Sequence, residues 1–101
     1  MSYRRFYRRR FLNKRGHHAG AYVLADCSIE SHGKNQHFLD AGLTIADCNR
    51  VAVLDFTGHT EASIANALAK AHALRSVVND FCDALESAAA EVRLRRDASK
   101  N

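Results

Sequence analysis

Residues 20–56 read GAYVLADCSIESHGKNQHFLDAGLTIADCNRVAVLDF, and the alternation inside them decides the fold. Ala21, Val23, Ala25, Cys27 and Ile29 share one parity, and Tyr22, Asp26, Ser28 and Glu30 share the other, with Leu24 the exception. A period of two with one apolar set predicts a strand with one dry face. The polar run SHGKNQH over 31–37 contains Gly33 and Asn35, which suits a hairpin loop. Leu39, Ala41, Leu43 and Ile45 alternate again. Asp47-Cys48-Asn49-Arg50 is a tight turn, because asparagine tolerates the left-handed backbone such turns use. Residues 51–56 then resume an apolar strand. Connections this short favour an antiparallel meander, with strands at about 20–30, 38–47 and 50–56.

Downstream, Thr57-Gly58-His59-Thr60 ends the last strand. Thr60 is placed to cap a helix whose first residue, Glu61, sits at the positive end of the helix dipole. No Gly or Pro follows, and alanine is frequent, so a helix is expected over about 61–96. Its apolar stripe is Ile64, Leu68, Ala71, Leu74, Val78, Phe81, Leu85, Ala88 and Val92, which falls into heptad steps from Leu74 onward. Arg93, Arg95 and Arg96 suit the negative end of the dipole, and residues 98–101 are expected to fray. A helix of that length spans roughly 50 Å, whereas a strand of six to eight residues covers only about 20–27 Å. The sheet therefore cannot cover the whole stripe. A second copy, docking through Leu74, Val78, Phe81, Leu85, Ala88 and Val92, is the preferred cover for the far half. The competing reading is a break near Asn79-Asp80 that folds that half back. The expected architecture is α+β: a three-stranded antiparallel meander followed by one long C-terminal helix, forming a single domain over 19–97.

Upstream lies a segment of different composition. MSYRRFYRRRFLNKR carries Arg4, Arg5, Arg8, Arg9, Arg10, Lys14 and Arg15 and no acid, so of the net charge of +4 the arm holds +7 and the rest of the chain −3. A block of this kind marks an interaction arm for something negative. Tyr3, Phe6, Tyr7 and Phe11 are spaced i, i+3, i+4, i+8, which on a helix would align four rings along one side. Arginines neutralise phosphates, and rings stack on bases. The same set suits an acidic, hydrophobic groove on a protein. The arm is assigned to residues 1–18, and His17-His18-Ala19-Gly20 is taken as a linker between glycine hinges, with no site of its own.

The remaining chemistry is sparse. Three cysteines, Cys27, Cys48 and Cys82, form no C-x-x-C pair, which argues against a disulfide framework and for a reducing compartment. Leu24-Ala-Asp-Cys27 and Ile45-Ala-Asp-Cys48 are near repeats that two strands could bring around a metal, but isolated thiols are not the usual zinc pattern, so no metal or cofactor is expected. A nucleophilic pair of Cys48 with His59 lacks any recognisable orienting residue, and no catalytic residues are expected. No run of 18 apolar residues spans a membrane, and the arm lacks the apolar region of a secretory signal, so a cytoplasmic location is expected.

The text Leu43-Thr-Ile-Ala-Asp-Cys-Asn-Arg-Val-Ala-Val-Leu-Asp-Phe56, a polar break and then an Ala-Asn-Ala-Leu helix resembles small bacteriophage and prophage early-region proteins. That resemblance implies a host-takeover factor of the anti-CRISPR kind, which binds and blocks a host complex instead of catalysing, in the host cytoplasm. It carries over no functional residues. Many such inhibitors are acidic, and this arm has the opposite sign. The expected function is a non-enzymatic binding protein that inhibits a host protein through its acidic surface. Arm residues Tyr3, Arg4, Arg5, Phe6, Tyr7, Arg8, Arg9, Arg10 and Phe11 would make the contact. The alternative is a nucleic-acid-binding module using the same arm on phosphates.

Overall fold

The computed structural model describes residues 2–99. Four strands, β1 (Ser2–Phe11), β2 (Ala21–Ser31), β3 (His37–Asp47) and β4 (Arg50–Asp55), precede one helix, α1 (Glu61–Ser99). They form one antiparallel sheet in the order β1-β2-β3-β4. The meander expected from residues 20–56 is present, but it has four strands and not three. Residues Ser2–Phe11, expected outside the sheet, supply the additional strand. The physical reason is twofold. An isolated helix of about ten residues is marginal in water, whereas Tyr and Phe favour strands. In addition, β2 in a three-stranded sheet would have left one row of backbone groups unpaired, and β1 fills it.

Register places the alternating apolar residues on one side of the sheet, but burial does not alternate along β2, where every residue after Ala21 is half-buried. Val23, Ile45 and Ala52 lie opposite one another across three strands, as do Ala25, Leu43 and Leu54, with Cys27–Ala41 and Ile29–Leu39 continuing the same face. Directly opposed residues in antiparallel strands share a face, so this is one continuous apolar surface.

The helix starts where the cap was expected. Thr60 Oγ1 accepts from the Ser63 N–H (3.1 Å), and the Ser63 hydroxyl oxygen accepts from the Thr60 N–H (2.9 Å), a reciprocal cap with serine in place of the usual glutamate. Gly58 sets how closely the helix approaches. Its N–H and C=O both exchange with Leu39 at 2.9 Å, and a Cβ there would lie 2.9 Å from Ile64 backbone atoms. The Lys70 ammonium donates to the Asp55 carbonyl (2.7 Å) and lies over the Phe56 ring (5.1 Å).

α1 runs unbroken through Asn79 and Asp80, which excludes the fold-back there. The chain divides between Lys70 and Ala71 into two compact units. The buried apolar residues are Ala21, Ala46 and Ala67, all before that boundary. Beyond it the described residues are helix through Ser99, including residues 98 and 99 of the tail expected to fray, with Val78, Phe81, Leu85 and Val92 exposed. Residues 100 and 101 of that tail lie outside the described residues.

Candidate functional site

β1 is an edge strand, paired with β2 on one side and, among the described residues, with no strand on the other. Its register slips between Arg4 and Phe6, making Arg5 the extra residue of a bulge. The slip decides where the rings go. Tyr3, Phe6, Arg8 and Arg10 oppose Ile29, Cys27, Ala25 and Val23, while Arg4, Tyr7, Arg9 and Phe11 oppose Ser28, Asp26, Leu24 and Tyr22. Each face of the strand therefore carries two rings and two arginines. A helix would have put all the rings on one side; the strand with its bulge shares them between both.

Guanidinium groups lie over the rings along the whole strand. Arg4 sits 4.8 Å from the Tyr7 centroid, Arg9 5.5 Å from Phe11, Arg5 5.7 Å from Tyr3 and Arg8 5.8 Å from Phe6. Such contacts pre-order long side chains while leaving their charge in place. The rings stay between 47% and 61% exposed, so a second face of each is open to a ligand. No arginine of β1 is neutralised: among the described residues the one ion pair joins Arg95 to Glu91 on α1. The register explains this, because the acids Glu30 and Asp26 of β2 oppose Ser2 and Tyr7, and no arginine.

The other residues of interest fall into separate places. Leu74 is half-buried, and Val78, Phe81, Leu85, Ala88 and Val92 are exposed on the helix beyond Lys70. Cys27 lies mid-strand opposite Ala41, whereas Cys48 occupies the β3–β4 turn beside Asp47, which pairs with Ala21. The two cysteines are therefore about six strand positions apart along β2, roughly 20 Å, and do not gather around one metal. His59 stacks on Phe38 at the opposite end of β3 (4.2 Å, 20°), so it is no partner for Cys48. The histidine that meets Cys48 is His18, with Nε2 3.4 Å from Sγ. The linker reading of residues 17–20 missed it, because only the fold of the β1–β2 connection brings position 18 back to the turn. This contact does not form a catalytic chain with Asp47. His18 Nδ1, the atom an orienting carboxylate would hold, accepts from the Gly20 N–H (3.1 Å).

Elsewhere, His37 Nε2 faces the Lys34 carbonyl (3.1 Å) and so carries the proton, which leaves Nδ1 to accept from the Ser31 hydroxyl (2.7 Å). This pair holds the β2–β3 hairpin closed. No helix among the described residues is long and apolar enough to cross a membrane. No protein-family model matches the chain, and no curated protein or solved structure shows significant similarity to it.

Proposed function

We propose that this chain is a non-enzymatic binding protein whose β1 edge docks on a polyanion, with nucleic acid as the occupant. One observation carries the reading: five arginines on one open edge strand, none in an ion pair, interleaved with half-exposed rings. A ten-residue strand extends about 33 Å, close to one turn of duplex DNA. Arginines directed to both faces of such an edge can reach phosphates on either side of it, and the rings offer stacking surfaces to unpaired bases.

The second copy expected on α1 belongs to this reading. The heptad stripe from Leu74 to Val92 is self-complementary in spacing, and two joined chains would present two β1 edges to one polymer, raising avidity without new contacts.

Blocking of an acidic host protein, as the phage resemblance implies, is the second reading. It is favoured by the unpaired backbone groups on the outer side of β1, to which an extended segment of another protein could add. Salt dependence separates the two. If five arginines each displace a counterion from duplex DNA, affinity should fall about 10²- to 10³-fold between 50 and 200 mM salt. Arg8→Ala with Arg9→Ala should then reduce the slope of log affinity against log salt by about 2. A shallow slope that the double substitution leaves unchanged would overturn nucleic acid as the occupant.

A further inference from the structure

We propose that His18, Asp47 and Cys48 form a binding site for a divalent transition ion of borderline softness, with zinc as the reference metal. The three side chains offer nitrogen, carboxylate oxygen and sulfur, all within 4.8 Å of one another. They come from separate parts of the chain: the β1–β2 connection, the last residue of β3 and the turn that follows. The proposal is independent of what β1 binds.

Three features of the surrounding backbone support it. Cys48 has φ +56° in the two-residue turn between β3 and β4, a conformation in which glycine or asparagine is the favoured residue. A thiol is therefore held at a position that local backbone preference would give to another residue. Gly20 is in the closest contact with it. The Cys48 N–H donates to the Gly20 carbonyl (2.7 Å), and a Cβ on Gly20 would fall 3.1–3.2 Å from His18 Nδ1, Cys48 Cα and Cys48 Sγ. The absent side chain is what leaves room for ring and thiol together. Finally, Asn13 Nδ2 donates to the His18 carbonyl (2.8 Å), fixing the connection that carries the histidine.

The geometry suits a tetrahedral ion. Bonds of about 2.0–2.1 Å to nitrogen and about 2.3 Å to sulfur place those donors about 3.5 Å apart, and His18 Nε2 stands 3.4 Å from Cys48 Sγ. Beyond its backbone pairing with Ala21 and Arg50, Asp47 has no side-chain hydrogen bond or ion pair among the described residues, so its carboxylate is free to close in by rotation. Three protein ligands leave the fourth position to water.

The protons balance as follows. Without metal, His18 Nδ1 accepts from the Gly20 N–H, so the neutral ring holds its proton on Nε2, toward the sulfur. Ligation through Nε2 moves that proton to Nδ1 and gives up the Gly20 contact, while Cys48 releases its thiol proton to water as the metal–thiolate bond forms. Loading the site ties the β1–β2 connection to the β3–β4 turn.

The test uses the full chain, reduced, titrated with zinc by calorimetry and with cobalt(II) by absorption. The expected result is one ion per chain and a thiolate-to-cobalt charge-transfer band. Cys48→Gly is the decisive variant, because glycine suits the turn and the chain should fold at least as well. It should lose the band and bind zinc at least about 100-fold more weakly, given that substituting even outer partners of metal ligands costs 10–100-fold. His18→Ala should weaken zinc similarly, and Cys27→Ser with Cys82→Ser should leave it unchanged. No stoichiometric binding, no band, or a Cys48→Gly chain that retains its zinc affinity would overturn the site.

Discussion

β1 and the helix beyond Lys70 expose apolar surface in opposite ways. On the strand, exposed rings are mixed with charge: every ring of β1 lies under a guanidinium. On the helix, Phe81 is 62% exposed on a stripe of Val78, Leu85, Ala88 and Val92. The first kind of surface is stable in water and attracts anions. The second gains nothing from water and is stabilised by burial against a similar surface, at about 25 cal/mol per Å² of apolar area. The difference teaches that the two surfaces call for different partners, and that each can be removed without touching the other.

The largest effect should come from breaking the apolar side of that contrast. In the proposed assembly, Phe81→Asp places a carboxylate in the seam, beside Asp80 and Asp83. The unaltered chain should sediment at twice its 11.2 kDa mass, and the variant at that mass. Helical and sheet circular dichroism should largely persist, since the Thr60–Ser63 cap and the Gly58 contact lie far along the chain from the substitution. A wild-type chain that already sediments as a monomer would end the dimer reading and leave the helix face without an occupant.

The next effect sharpens the sheet side. Gly58→Ala introduces a Cβ 2.9 Å from the backbone N and Cα of Ile64, atoms that cannot rotate away. Either the helix start lifts from Leu39 or the loop distorts, and overpacking of this kind costs about 1–3 kcal/mol. Urea unfolding should show that loss, while the seam-dependent mass of the assembly stays the same at high protein concentration. Unchanged stability would mean that the helix start is not seated on Gly58.

How much of this was legible in the sequence depends on the range of the interactions. The alternation of Ala21, Val23, Ala25, Cys27 and Ile29 and the cap at Thr60 are local, and the structure shows both. The arm's conformation is not legible in the sequence, because Tyr3, Phe6, Tyr7 and Phe11 satisfy a helical spacing as well as a bulged strand. Only the unpaired edge of β2, a non-local demand, decides between them. A stretch of ten residues alternating rings and arginines next to a strand with a free edge was the available signal. His18 was illegible for a stronger reason: its contact with Cys48 spans 30 positions and depends on the β1–β2 connection folding back, which no periodicity encodes.

The smallest effect distinguishes the two regions by pH. Asp55 ends β4, and Thr57 holds its carboxyl below the usual carboxylate range, through the threonine hydroxyl, which Asp55 shares with Asp40 Oδ1 (3.3 Å), and then through the backbone N–H, which donates to Asp55 Oδ1 at 2.9 Å. The charges of Lys70 and His59 act in the same direction. A carboxyl whose folded pKa lies below its unfolded one binds fewer protons in the native state at mildly acid pH. Its contribution is therefore complete above the unfolded value of about 4 and is lost as pH falls through the lower folded value. Because the group is exposed, the effect should be slight. Thermal melts followed across about pH 2–7 should show the wild type losing its advantage over Asp55→Asn as the acid limb is descended, the two curves converging at the bottom. The apolar seam of α1 has no part in that titration, so the convergence should also appear in the monomeric Phe81→Asp background. Curves that stay parallel throughout would show that the Thr57 contact does not favour the ionised form.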